Sequence, residues 1–161
     1  MTRDGADQWA VSLVLTSIAI TSCHPLSSQV PAAADLARAA DLSVLVLGTD
    51  LHVAMENHDA VNITFSRGQL ALVQAVAQAS PRPVVVVTLT AVPLDLTPLL
   101  QNPKVGAILH AGQPSIQTHG VADVLVGKRS PAARVVQTIY PESYQHQVQR
   151  LIGDSLHVTH A

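Results

Sequence analysis

The residues best suited to chemistry are concentrated between positions 48 and 60. There Gly48-Thr49-Asp50-Leu51-His52-Val53-Ala54-Met55-Glu56-Asn57-His58-Asp59-Ala60 gathers three carboxylates and two imidazoles in an otherwise apolar sequence. A carboxylic acid partly desolvated by neighbours such as Val53 and Met55 has its charged form disfavoured, which raises its pKa and suits it to general acid catalysis. The competing reading is a solvated loop with ordinary carboxylates. A third reading is a metal site, because His52, Glu56, His58 and Asp59 are residue types that zinc accepts. Their spacing matches no compact helical motif such as His-Glu-x-x-His, so no resident metal is expected.

The remaining histidines, His24, His110, His119, His146, His157 and His160, are scattered, and His110 alone falls at the end of an apolar run where it would line a pocket. Other reaction classes lack their signatures. No Gly-x-Gly-x-x-Gly follows an apolar run and no Gly-Lys-Ser/Thr loop is present to cradle phosphate, so neither nucleotide nor any other cofactor is expected. Gly-x-Ser-x-Gly is also missing, which leaves Ser66 and Ser115 without a nucleophile elbow.

Three apolar runs would position these groups: Leu42–Leu47, Val84–Leu89 and Val105–Leu109. Rich in β-branched residues and without polar alternation, they predict strands buried on both faces, as in a parallel sheet. The intervening segments have helical spacing. Pro31 stands at the head of a helix over Ala32–Ala40, and Leu72, Val73, Val76 and Ala77 share one face of a helix over Gln69–Ala79. A further helix, Val121–Val126, would end at Gly127. This alternation predicts an α/β fold, a three-layer sandwich with a mostly parallel sheet and helices on both faces. Ligands of such sheets bind outside the carboxyl ends of the strands. That singles out the loops Gly48 to Phe65, Thr90 to Leu94 and His110 to Gly120.

At 161 residues the chain suits one core. Hydrophobic residues make up 48%, charged residues 12% and aromatics 2%, so Val, Leu, Ile and Ala must build that core. A net charge of -2 and the lack of any basic run interleaved with aromatics argue against nucleic acid as a partner. The single Cys23 excludes an internal disulfide framework. Ala10–Ile20 is apolar but shorter than the roughly 20 residues of a membrane span. Asp4 and Asp7 make the preceding segment a poor secretory leader, so a strand-like segment is expected there and localisation stays open. The expected organisation is an amino-terminal extension over 1–30, the sandwich over 31–144 and a loose tail over 145–161.

From Ala32 to Tyr144 the chain resembles the carboxyl-terminal domain of family 3 glycoside hydrolases, particularly the plant and fungal β-xylosidase and arabinofuranosidase branch. The resemblance is carried by Ala39-Ala40-Asp41 with Val44, Val46, Gly48 and Asp50, and by Asn102-Pro103-Lys104-Val105-Gly106-Ala107-Ile108-Leu109. It continues through Ala122-Asp123-Val124-Leu125 and Gly127, and through Pro131, Arg134, Thr138 and Tyr140-Pro141-Glu142-Ser143-Tyr144.

The resemblance implies a retaining exo-glycosidase in which an Asp on a separate barrel domain is the nucleophile and the sandwich contributes the acid/base. The covalent route needs the two carboxyl groups about 5–5.5 Å apart. The branch's acidic loop, Gly-x-Asp-x-x-x-Glu-x-Glu-x-x-Asp-Arg, maps its second Glu onto Glu56, the expected acid/base. It maps its Asp positions onto Asp50 and Asp59, expected with His110 to contact substrate. There are departures. Ala54 replaces the first Glu, Ala60 the Arg, Ser66-Arg67 a Pro-Gly, and Thr90-Ala91-Val92-Pro93 a Ser-Gly-Gly-Pro whose glycines suggest special dihedrals. The segment Gly112–Gly120 reduces a Gly-Tyr-Pro-Gly-x-x-Gly-Gly.

A barrel takes about 250 residues, more than these 161, so the nucleophile is expected outside this chain. The partners implied are a carbohydrate, such as a xylo-oligosaccharide or aryl glycoside, and a barrel domain in trans. Two functions stand side by side: half of a β-xylosidase-like active site, or a catalytically inactive carbohydrate-binding or remnant domain. The isolated chain is expected to be inactive.

Overall fold

The computed structural model describes residues 11–14, 29–49, 53–57, 60, 62–114 and 119–147. Four parallel strands form one open sheet in the order β1-β2-β3-β4: β1 (Val11–Val14), β2 (Leu42–Gly48), β3 (Val84–Leu89) and β4 (Val105–Gly112). Between them run α1 (Val30–Ala39), α2 (Arg67–Ala79) and the single turn α3 (Thr97–Leu100), and α4 (His119–Leu125) follows β4. The three expected strands are present. The apolar amino-terminal segment supplies β1, which pairs with β2 from Val11↔Leu42 to Val14↔Leu45.

Successive parallel strands joined by right-handed crossovers in a 1-2-3-4 order place their connecting helices on one face. Accordingly α1 and α2 lie side by side. Alternation along the strands turns Leu45 and Leu47 of β2 and Val84 and Val86 of β3 toward those helices. They pack with Ala33 and Ala37 of α1, Leu72 and Val76 of α2, and Leu99 of α3 in one continuous core. Alanine at the α1 contacts keeps this helix close to the sheet. Its exposed flank carries the Asp35–Arg38 ion pair. On the other side, Leu109 of β4 lines a cleft with Val121 and Val124 of α4.

The helices begin and end where local chemistry dictates. Ser66 caps α2 by accepting from the Gln69 N–H, and the Gln69 side chain accepts from the Ser66 N–H, a reciprocal capping box. After α4, the Gly127 N–H donates to the Val124 carbonyl and the Lys128 N–H to the Asp123 carbonyl, with Gly127 at φ 74°. This is a Schellman ending, and it stops the helix at the expected glycine.

One expectation is corrected. Val105–Leu109 was expected to be buried on both faces, but β4 is the last strand of the sheet and is nowhere fully buried, with Gly106 and Ala107 exposed. Composition reports how apolar a strand is, and an edge strand of a parallel sheet is as apolar as a central one. β4 also runs three residues further, to Gly112, through two register shifts against β3. At the first shift, Val84 and Val85 face Val105 and Ala107, so Gly106 is the extra residue. A Cβ there would lie 2.8 Å from the Pro83 Cβ, which only glycine avoids.

Candidate functional site

The sheet brings the carboxyl ends of its strands together. Gly48 of β2 is level with Leu89 of β3, and Leu89 with Gly112 of β4. Adjacent strands are about 4.8 Å apart, so three loops leave the sheet within roughly 10 Å of one another. The loop after β2 is held at its base by two bonds. Thr49 N–H donates to the Leu89 carbonyl at 3.1 Å, and Gln69 Nε2 donates to the Gly48 carbonyl at 2.8 Å. Gln69 is 5% exposed and uses its other amide atom in the α2 capping box. One side chain thereby couples the start of α2 to the start of the acidic loop.

Glu56 lies on an exposed turn of that loop, beside Asn57 at φ 64°. Left-handed backbone is a conformation that Asn tolerates better than most side chains. Asp50, His52, His58 and Asp59 lie outside the described residues. His110 is half-buried at the end of β4, and its Nδ1 is hydrogen-bonded to the Thr88 hydroxyl at 2.9 Å. Thr88 and His110 are register partners, so the bond spans adjacent strands, fixes the imidazole, and leaves Nε2 for a ligand.

His110 lines a cleft of about 690 Å³ between the ends of β3 and β4, α4, and the stretch 129–137. Thr90, Gln113, Arg134 and Gln137 also line it, and Glu56 does not. Ala91 and Val92, which stand where the branch pattern has its two glycines, both lack a positive φ, so these positions need no glycine dihedral here. Among the described residues no group of three His, Cys, Asp or Glu is placed to hold a metal ion. Nor is any described helix long and apolar enough to cross a membrane.

The loop after β3 is clamped by Asp95, which is 7% exposed. Its Oδ1 accepts from the Thr97 N–H at 2.7 Å and its Oδ2 from the Glu142 N–H at 3.0 Å. Burial raises this carboxyl's pKa, but hydrogen bonds from the Glu142 backbone and from the Thr97 side chain and backbone more than offset it, for a net lowering. The bond to Glu142 ties the stretch 139–147 to the sheet, where Tyr140 and Tyr144 stack with centroids 4.3 Å apart.

Residues 4–157 match the model of the glycosyl hydrolase family 3 C-terminal domain. The chain belongs to this family. Beta-D-xylosidase 3 of Arabidopsis thaliana is 34% identical over 125 residues, covering 76% of this chain and 16% of the relative. The probable exo-1,4-beta-xylosidase bxlB of Aspergillus clavatus is 40% identical over 126 residues, covering 76% and 16%. The chain therefore spans about 16% of the length of these curated relatives. Among solved structures, the beta-glucosidase D2-BGL of Chaetomella raphigera superposes with a TM-score of 0.64 at 31% identity, over 73% of this chain and 17% of that one. The beta-D-glucoside glucohydrolase of Trichoderma reesei gives 0.60 at 32%, over 68% and 16%. The glycosyl hydrolase family 3 domain thus carries both the sheet and the loops that were expected to hold chemistry.

Sequence reasoning passed over Gln69, Thr90, Asp95 and Arg134 as site-building residues. Ser66-x-x-Gln69 is a capping-box spacing and was a usable signal. The pairing of Asp95 with Glu142 spans 47 residues and leaves no local trace.

Proposed function

We propose that this chain forms one side of the active site of a retaining exo-glycosidase of the β-xylosidase kind, with Glu56 as acid/base. The nucleophilic Asp belongs to a barrel domain outside these residues. The observation that carries the proposal is the convergence of three loops at the row Gly48, Leu89 and Gly112 in a family 3 domain whose relatives are named as β-xylosidases. Substrate is a short xylo-oligosaccharide or aryl xyloside, contacted from this side by Asp50, Asp59 and His110.

Glu56 protonates the glycosidic oxygen as the nucleophile attacks the anomeric carbon, then takes the proton of the water that releases the sugar. Its exposed turn lets it face a second domain, and the anchors at Gly48 and Thr49 fix where the loop starts. One carboxylate without its partner nucleophile supplies neither the covalent step nor the positioning, so the isolated chain has no turnover.

The test is hydrolysis of an aryl β-xyloside by the purified chain alone and after mixing with a family 3 barrel domain. We expect no activity alone and turnover in the mixture. Glu56→Gln should lower that turnover by about 10²–10⁴-fold. Turnover that survives the substitution removes Glu56 from the acid/base role. A mixture as silent as the chain alone favours the inactive carbohydrate-binding reading.

A further inference from the structure

The described residues lining the 690 Å³ cleft beside His110 include two arginines, Arg129 and Arg134, and no carboxylate. Arg129 Nε is 3.4 Å from Asp123 Oδ2, and Lys128 Nζ is 3.6 Å from Asp123 Oδ1, so two cations share one carboxylate and leave an excess of positive charge. Arg134 has no ion-pair partner among the described residues. A second observation points the same way. Thr90 is 2% exposed and lines this cleft, and its hydroxyl is the one buried side-chain polar atom without a hydrogen-bond partner among the described residues. A buried polar group left unpaired is costly, and a ligand that reaches the back of the cleft would relieve it.

We infer that this cleft binds a sugar carrying a carboxylate, a uronic acid unit, with Arg134 facing the carboxylate and Thr90, Gln113 and Gln137 facing the hydroxyls. A neutral sugar satisfies the amides and the hydroxyl but leaves the charge of the lining unanswered. A planar carboxylate answers it through the guanidinium fork. A bare oxyanion satisfies the charge and leaves the amides and Thr90 unmatched. The inference rests on the proposed carbohydrate reading in taking the body of the ligand to be a sugar, and it shares His110 with that site. It does not involve Glu56.

The experiment is titration of the purified chain with glucuronate, glucose, xylose and inorganic phosphate, followed by NMR shifts of the His110, Gln113 and Arg134 resonances. Glucuronate should bind at least about tenfold more tightly than glucose or xylose, the worth of one charge-assisted contact at a partly exposed site. The preference should shrink as salt rises. Arg134→Gln, at an exposed position, should abolish the preference, and Thr90→Val should weaken glucuronate binding several-fold without unfolding the chain. Equal binding of glucuronate and neutral sugars overturns the inference, as does phosphate binding as tightly as glucuronate, or no binding by any of the four. Because the readout is binding by this chain alone, failure here leaves the test of xyloside hydrolysis standing, and the reverse also holds.

Discussion

A buried carboxylate is costly unless its lone pairs are filled, and Asp95 fills them with the backbone N–H groups of Thr97 and Glu142. These bonds favour the charged form and hold its pKa below the ordinary value near 3.8, although burial alone would raise it. A folded-state pKa below the unfolded one contributes stability that is fully present above the unfolded value and lost as pH falls through the folded one. The melting temperature should therefore be flat with respect to this group from pH 7 to about 5 and should drop below about 4. Asp95→Asn should flatten part of that acid drop. It should also cost about 1–3 kcal/mol at neutral pH, since an amide nitrogen cannot accept from the Glu142 N–H. An unchanged acid limb in thermal melts of the variant would rule out Asp95 as a source of the pH dependence. Glu56 shows what a residue list leaves out. Its type and its place in the acidic loop were legible in the sequence, whereas its exposure, and its separation from the cleft that His110 lines, depend on how the turn at Asn57 is aimed.

Among the elements, β2 and β3 were the most legible because fully buried parallel strands read as unbroken runs of Val and Leu. Helix boundaries shifted by at most two residues, within the fraying of any helix end. The start of α2 is more instructive. Read against the branch pattern, Ser66-Arg67 looked like the loss of Pro-Gly. In the fold Ser66 instead closes a capping box with Gln69, whose Nε2 reaches back to the Gly48 carbonyl. Ser66→Ala should cost about 1 kcal/mol, or roughly 2–4 °C in melting temperature. Gln69→Leu removes the reciprocal bond and also the side-chain donor to the Gly48 carbonyl, so it should cost about 1–3 kcal/mol. The double variant should lose less than the sum, because the two side chains share one motif. Additive losses in denaturant titrations would mean that cap and loop anchor act separately.

At the scale of the whole molecule the sheet is asymmetric. β2 and β3 have a hydrogen-bonded strand on each side and the α1, α2 and α3 core against one face, whereas β4 ends the order and leaves one row of its backbone groups facing outward. Such an edge is the weakest part of a sheet, and here it is also bent at Gly106 and again before Gly112. The strand that carries His110 is thus held from a single side, as β1 is at the opposite edge, and its position depends on β3 through the Thr88 hydroxyl and the ladder from Val84 to Leu89. Native-state amide exchange should resolve this. Amides of β2 and β3 should exchange only through global unfolding, while the outward amides of β4 should exchange orders of magnitude faster. Thr88→Val keeps the shape of the side chain but removes the bond to His110. It should therefore loosen the end of β4 next to His110 while leaving Val105–Ile108 unchanged. Protection of β4 equal to that of β3 would contradict the open edge. If Thr88→Val left the amides around His110 as protected as before, the ladder alone would be holding the strand end.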